Sequence, residues 1–283
     1  MAMILNFYIH FIHTLKRMNF LKLTACICIM ASLFGCMRST FPSEQQPDVV
    51  LQIPSSVEEA TFVWYLIRKI KFFEDNGYEL SLPDDEIIDG LIQKSKANTL
   101  STRDWHALTS LFSKKIYRQS DYTAGYEVLK KELPVANGAV KRFRIYQERW
   151  GFFIPETYTV VLTLYGPGGN YNPKNGKITL KATKDGRFAR GRDPLETVLH
   201  EAVHIGIEVP VIKKFNVSHW RKERIVDKFM AFHFSDICPG YRMQAKADTS
   251  IDIILADPKV WNNLPDEVSR FLSNETRGRA EKQ

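Results

Sequence analysis

The sequence predicts an α+β fold, and two changes of period along the chain carry that prediction. A helical spacing of apolar residues from Ser56 to about residue 132 gives way to β-branched and aromatic stretches between residues 140 and 183. The helical spacing then returns from Asp193 onward. Helices are thereby segregated from a small antiparallel sheet rather than alternating with its strands. At 283 residues, 44% apolar and 25% charged, the chain has room for one sizeable folded domain.

The elements follow in order. Ser56 and Glu59 form a capping-box pair ahead of Phe62, Leu66, Ile70 and Phe73, a stripe that stops at Gly77. Further helices are expected near residues 84–96, 102–117 and 121–132. Val140–Tyr146, Tyr158–Tyr165 and Lys177–Thr183 have strand composition. Gly166-Pro167-Gly168-Gly169-Asn170 and Asn175-Gly176 are turn chemistry, making the last two strands a hairpin with a long loop. No Gly-Lys-Ser/Thr follows those glycines, so they are not a phosphate loop. Asp193-Pro194-Leu195-Glu196 then sets an N-cap, a proline at the first helical position and an early acid. That helix runs through His204 and is expected to end by Pro210. A second helix spans about Ser218 to Phe234, and the polar tail at 273–283 reads as flexible.

Lys16, Arg17 and Lys22 precede or flank an apolar run, Leu21–Phe34, that closes on Leu33-Phe34-Gly35-Cys36. This is the order of a secretory signal over residues 1–35. Its ending resembles a bacterial lipobox, which implies lipidation of Cys36 and an exported, lipid-anchored protein in the bacterial envelope, at the periplasmic face of the outer membrane. Translation from Met18 would give a more ordinary signal. Residues 36–54, rich in Ser, Gln and Pro, are expected to tether one domain at 55–272, with a helical part at 55–135 and the sheet and site helices at 136–272. Cys26 and Cys28 leave with the signal, so Cys238 has no internal disulfide partner and reads as a small buried apolar residue. Of the net charge of +7, three units lie in residues 1–35, leaving +4. No Lys/Arg stripe with interleaved aromatics appears, which argues against a nucleic-acid partner.

The chemistry concentrates at His200-Glu201-Ala202-Val203-His204. Residues four apart on a helix differ by about 40° in azimuth and about 6 Å in height. His200 and His204 therefore present two imidazoles to one ion, with Glu201 beside them to take a proton from water. Zinc in such a site lowers the pKa of water from about 15.7 toward about 7. The apolar neighbours Val198, Leu199, Ala202, Val203 and Ile205 bury the histidines, which then need partners. A metzincin third ligand fails, since Ile207 and Pro210 stand where Gly and His would be. Glu208 lies about 12 Å along the axis from His200, too far to converge. Glu223, on the next helix and sharing a face with Trp220, Val226 and Met230, is better placed, and Asp227 one turn on can hold a ligand histidine. Tyr241, His219, His233 and Arg242 are candidates by position to stabilise a transition-state oxyanion.

His200-Glu201-x-x-His204 followed by Glu223-x-x-x-Asp227 resembles the thermolysin-like gluzincin pattern, over about residues 177–230. The resemblance implies zinc held by His200, His204 and Glu223, Glu201 as general base, and Asp227 orienting a zinc-binding histidine. It further implies hydrolysis of a peptide or protein substrate, with the strand Lys177–Thr183 as the edge that lines it. Lys222 stands where thermolysin relatives often carry Asn, which marks a distant branch. The alternative is a non-catalytic envelope lipoprotein with a structural zinc site or a binding role.

Overall fold

The computed structural model describes residues 47–280. The signal segment, lipobox and Cys36 lie outside the described residues. The fold is α+β, with a four-stranded mixed sheet set among helices. Among the described residues the first element is strand β1 (Asp48–Gln52), inside the stretch that composition assigns to the tether. The Val49 side chain is buried in the main core, and its amide donates to Asn137 Oδ1 at 2.7 Å. Among the described residues the fold thus includes β1, ahead of the expected start at residue 55.

Helix α1 (Ser56–Arg68) is capped by Ser55 and Glu58, one residue ahead of the expected pair. Glu58 Oε2 accepts from the Ser55 amide at 2.7 Å, while the Glu58 amide donates to Ser55 Oγ at 3.2 Å. Glu59 turns inward instead, where its Oε1 accepts from the Tyr122 and Thr163 hydroxyls and the Leu164 amide. That ties α1 to the end of the sheet. Helix α2 (Ile70–Asp75) stops at Gly77, whose φ of 66° is the left-handed conformation that glycine adopts most readily. Helices α3 (Glu86–Lys96) and α4 (Thr102–Leu111) pack on α1 through Val63, Ile67, Ile88, Leu91 and Leu108.

Asp104 closes the N-terminus of α4. Its Oδ2 accepts from the Ser101 amide and hydroxyl, and Lys94 Nζ donates to its Oδ1 at 2.5 Å. The Lys94 hydrogen bond, then the Ser101 ones, hold the carboxyl at about 2, below its ordinary 3.8. A depressed acid stabilises the fold above its unfolded pKa and loses that contribution as pH falls through the folded value. Asp104→Asn is therefore expected to lower the urea midpoint fully above about pH 4, with the gap from wild type closing toward about pH 2. Urea titrations at stepped pH measure it.

Helices α5 (Thr123–Lys141) and α6 (Arg144–Trp150) occupy the stretch Val140–Tyr146 that composition assigns to a strand. Val140, Phe143 and Tyr146 are all buried at a spacing of three, which is helical. Strands β2 (Thr157–Thr163), β3 (Gly169–Asn172) and β4 (Lys177–Lys181) complete the sheet in the order β1-β2-β4-β3. The antiparallel hairpin exists, but its arms are β3 and β4; β2 runs parallel to both β1 and β4. Val160, Val161, Leu162 and Thr163 are buried in succession, as an interior parallel strand requires. The stretch Lys177–Thr183, which the resemblance places at the edge, contains β4, an interior strand, and the edges of the sheet are β1 and β3.

Helix α7 (Pro194–Ile207) starts where the sequence indicates, with Asp193 Oδ1 accepting from the Leu195 amide at 2.8 Å. It packs against β3, β4 and α5. The α-helix stops at Ile207, and the chain passes Pro210 in a wider π-helical turn, Glu208–Lys213. Helix α8 (His219–His233) then returns against α7. Helices α9 (Asp252–Leu255) and α10 (Leu264–Ala280) follow, and α10 carries helix through most of the polar stretch that reads as a flexible tail. Among the described residues no helix is long and apolar enough to cross a membrane.

Candidate metal centre

One face of α7 brings His200 Nε2 and His204 Nε2 to 3.1 Å from each other. α8 supplies Glu223 from the side, its Oε2 at 3.2 Å from His204 Nε2 and 3.4 Å from His200 Nε2. All three residues are buried. Two imidazole nitrogens face to face with a carboxylate oxygen can share few hydrogens, and the remaining lone pairs repel. This buried group can hold a metal ion.

Asp227, one turn beyond Glu223, is fully buried, and its Oδ1 lies 3.9 Å from His200 Nδ1. Tyr241 fills that gap. Its hydroxyl donates to Asp227 Oδ1 at 2.7 Å and lies 2.6 Å from His200 Nδ1. With its own proton committed to Asp227, the Tyr241 oxygen accepts from His200 Nδ1–H, leaving the Nε2 lone pair directed at the site. Asp227 thus reaches His200 through Tyr241, and Tyr241, an oxyanion candidate by sequence, spends its hydroxyl on this link. Tyr241→Phe is expected to weaken metal affinity about 10- to 100-fold, measured by competition with a chromophoric chelator.

His204 is held differently. Its Nδ1 is buried without a hydrogen-bond partner among the described residues, and its ring stacks on Tyr171 of β3, centroids 4.8 Å apart and planes 2° from parallel. The Tyr171 hydroxyl donates to Glu208 Oε2 at 2.8 Å and accepts from Lys222 Nζ at 3.1 Å. Glu208, excluded as a ligand by its distance along the helix, is used there instead. Gln244 donates from its side chain to Glu223 Oε2 at 2.5 Å and from its amide to Asp227 Oδ2 at 2.7 Å. Tyr171, Gly169 and Gln244 escape a reading of the sequence, because they lie in turn-rich stretches without periodic signal.

Glu201 points into the cleft under β3. A Cβ placed on Gly169 would fall 2.2 Å from Glu201 Oε1, so the edge strand passes over the carboxylate only because residue 169 has no side chain. Burial pushes the Glu201 carboxyl up to about 7, opposed by His200 and assisted by Glu223. Burial also takes His204 down to about 3. For His200 burial lowers the pKa, but Glu223, Glu201 and Asp227 together outweigh it and raise the value. Glu223 shows the reverse balance: burial raises it, yet the two histidines hold it well below the usual carboxylate range.

The cleft has a volume of about 340 Å³, and Tyr65, Phe72, Phe73 and Tyr78 give it an aromatic part of its lining. His219 lines it, with Nε2 at 2.8 Å from the Tyr78 hydroxyl and Nδ1 at 3.8 Å from Glu223 Oε1. His233 does not: it sits against Tyr146, Phe229 and Trp261, and burial takes it to about 3. Arg242 does not line the cleft either; its carbonyl accepts from Arg192 at 3.3 Å. Cys238 is a buried free thiol whose pKa burial pushes up to about 12. No protein-family model matches this chain, and no curated protein or solved structure matches it with significance.

Proposed function

We propose that this chain is a zinc-dependent peptidase of the gluzincin type, exported and held at the bacterial envelope through lipid on Cys36. The observation that carries the reading is the spacing of the three donor atoms, 3.1, 3.2 and 3.4 Å apart. Tetrahedral zinc with bonds of about 2.0–2.1 Å separates its ligand atoms by about 3.3 Å. The donor set of two imidazoles and one carboxylate also suits zinc. Bound there, zinc would polarise a peptide carbonyl and acidify water toward a pKa of about 7.

The protein's own residues supply the rest. Glu201, beside the donors and under the edge strand, takes the proton from the attacking water and returns it to the leaving amine. Asp227 and Tyr241 keep His200 in the tautomer that leaves Nε2 free. β3 offers the substrate backbone an edge for strand addition. The competing reading, a structural zinc site, would need a fourth protein ligand. Among the described residues only His200, His204 and Glu223 form such a group, which favours an open coordination position.

Zinc is expected at one equivalent per chain by elemental analysis, in wild type and in Glu201→Gln alike. Cleavage of a mixed peptide library is expected in wild type and reduced about 100-fold or more in Glu201→Gln. Stoichiometric zinc with identical library profiles for the two proteins would overturn the peptidase reading.

A further inference from the structure

We propose that Arg192 makes the cleft selective for peptides that present a carboxylate beside the cleaved bond, an inference that rests on the peptidase reading. Among the described residues, the Lys and Arg side chains that line the cleft are Arg192 and Lys222. Lys222 is engaged: its Nζ donates to the Tyr171 hydroxyl at 3.1 Å and lies 3.7 Å from Glu223 Oε1. The side chain of Arg192, between the turn Ala189–Gly191 and the start of α7, makes one long hydrogen bond among the described residues, from Nη2 to the Arg242 carbonyl at 3.3 Å. Among the described residues it forms no ion pair. Glu196, in the first turn of α7, feels the Arg192 charge without pairing with it.

A guanidinium stays charged at any pH the protein meets, and its fork of five N–H donors matches a carboxylate in two-point contact. Arg192 is half-buried in the cleft wall, so a substrate that displaces water from it must replace those hydrogen bonds. The cleft's own acids have other uses. Glu223 faces the two histidines, Glu208 accepts from Tyr171, and Glu201 lies under Gly169. A divalent ion at the metal group would add positive charge to the cleft, while among the described residues Glu196 stays an electrostatic neighbour of Arg192 without pairing with it. Tyr65, Phe72, Phe73 and Tyr78, which also line the cleft, carry no formal positive charge. The group that completes Arg192 is a carboxylate on the substrate, from an acidic side chain or from the chain's C-terminus.

The test compares full-length, zinc-loaded wild type, Arg192→Gln and Arg192→Lys on matched fluorogenic peptides. One series exchanges Glu for Gln on either side of the cleaved bond; the other exchanges a free C-terminus for an amide. Wild type is expected to prefer the carboxylate peptide by about 10- to 100-fold in kcat/KM. Arg192→Gln should lose that preference while changing rates on neutral peptides less than about threefold, and Arg192→Lys should keep part of it. The series that shows the preference identifies the carboxylate's source. Absence of a wild-type preference, or equal loss on charged and neutral peptides, overturns the proposal. Should no peptide be cleaved, the peptidase reading fails separately, and the same peptides are titrated onto the zinc-loaded proteins by fluorescence anisotropy. Binding that needs both the carboxylate and Arg192 upholds the Arg192 site; binding indifferent to either one overturns it.

Discussion

Gly169→Ala is expected to cut peptide hydrolysis about 100-fold or more while leaving bound zinc and thermal stability nearly unchanged. The added Cβ would stand 2.2 Å from Glu201 Oε1 and 2.8 Å from Thr197 Cγ2. Glu201 Oε1 is the far end of a flexible side chain that can swing away, and Thr197 has to change its χ1 rotamer for the backbone to stay in place. The strand even gains, since alanine loses less conformational freedom on folding than glycine, by about 0.5–1 kcal/mol. Glu201 has to leave its place, and a displaced general base forfeits about 10²–10⁴ in rate. The three atoms nearest the new methyl group belong to Glu201 and Thr197, not to His200, His204 or Glu223. Turnover on the peptide library, zinc content and a melting curve, read together, check this. A fall in zinc or a collapse in Tm would mean that the strand, rather than the carboxylate, gives way.

Gly206→Ala should do the opposite and destabilise the fold itself. On helical propensity alone the change stabilises by about 1 kcal/mol. A Cβ on Gly206, however, would lie 1.9–2.4 Å from three carbons of the Phe152 ring. That ring cannot retreat: it stacks on Phe143 at 4.7 Å, and the neighbouring Phe153 amide donates to the Gly206 carbonyl at 2.9 Å. Overpacking a rigid contact costs about 3 kcal/mol or more, so it exceeds the propensity gain by about 2 kcal/mol. For a domain of this size the melting temperature should fall by about 4–8 °C. Shrinking the obstacle tests the cause. Gly206→Ala in a Phe152→Leu background should cost less than in wild type, a coupling that calorimetry on the four proteins of the cycle measures.

The sequence exposes the centre of the site better than its surroundings. Asp193, Pro194 and the spacing of His200 and His204 are local signals on one helix, and the structure places them accordingly. Glu223 is legible because a lone acid interrupts an apolar helix face. Asp227 is legible as a helper, but its route through Tyr241 is not, since the 14-position separation between them spans a loop with no periodic pattern. The sheet misleads for a different reason. Turn residues between two β-rich runs look the same whether the runs pair directly or a third strand is inserted between them. The continuous burial of Val160 to Thr163 separates the cases, because a hairpin arm with one wet face would alternate. β1 hides behind its neighbours: Val49, Val50 and Leu51 form a short apolar run at the end of a polar stretch. Val140–Tyr146 shows composition losing to spacing.

β3 is only four residues long, and that sets a ruler for whatever lies along it. The Lys181 amide donates to the Gly168 carbonyl at 2.7 Å, which fixes the phase of the antiparallel ladder. By alternation the amides and carbonyls of Gly169 and Tyr171 turn outward, away from β4. The side chains of the same two positions face α7, one absent above Glu201 and one stacked on His204. A peptide strand added here, as the proposed function requires, would find backbone partners over about two residues, a span of about 7 Å. Residues added to a substrate beyond about four would extend past the edge and gain no further ladder bonds. Chain length would then matter little to such an enzyme, and the side chains flanking the cut would decide what it accepts.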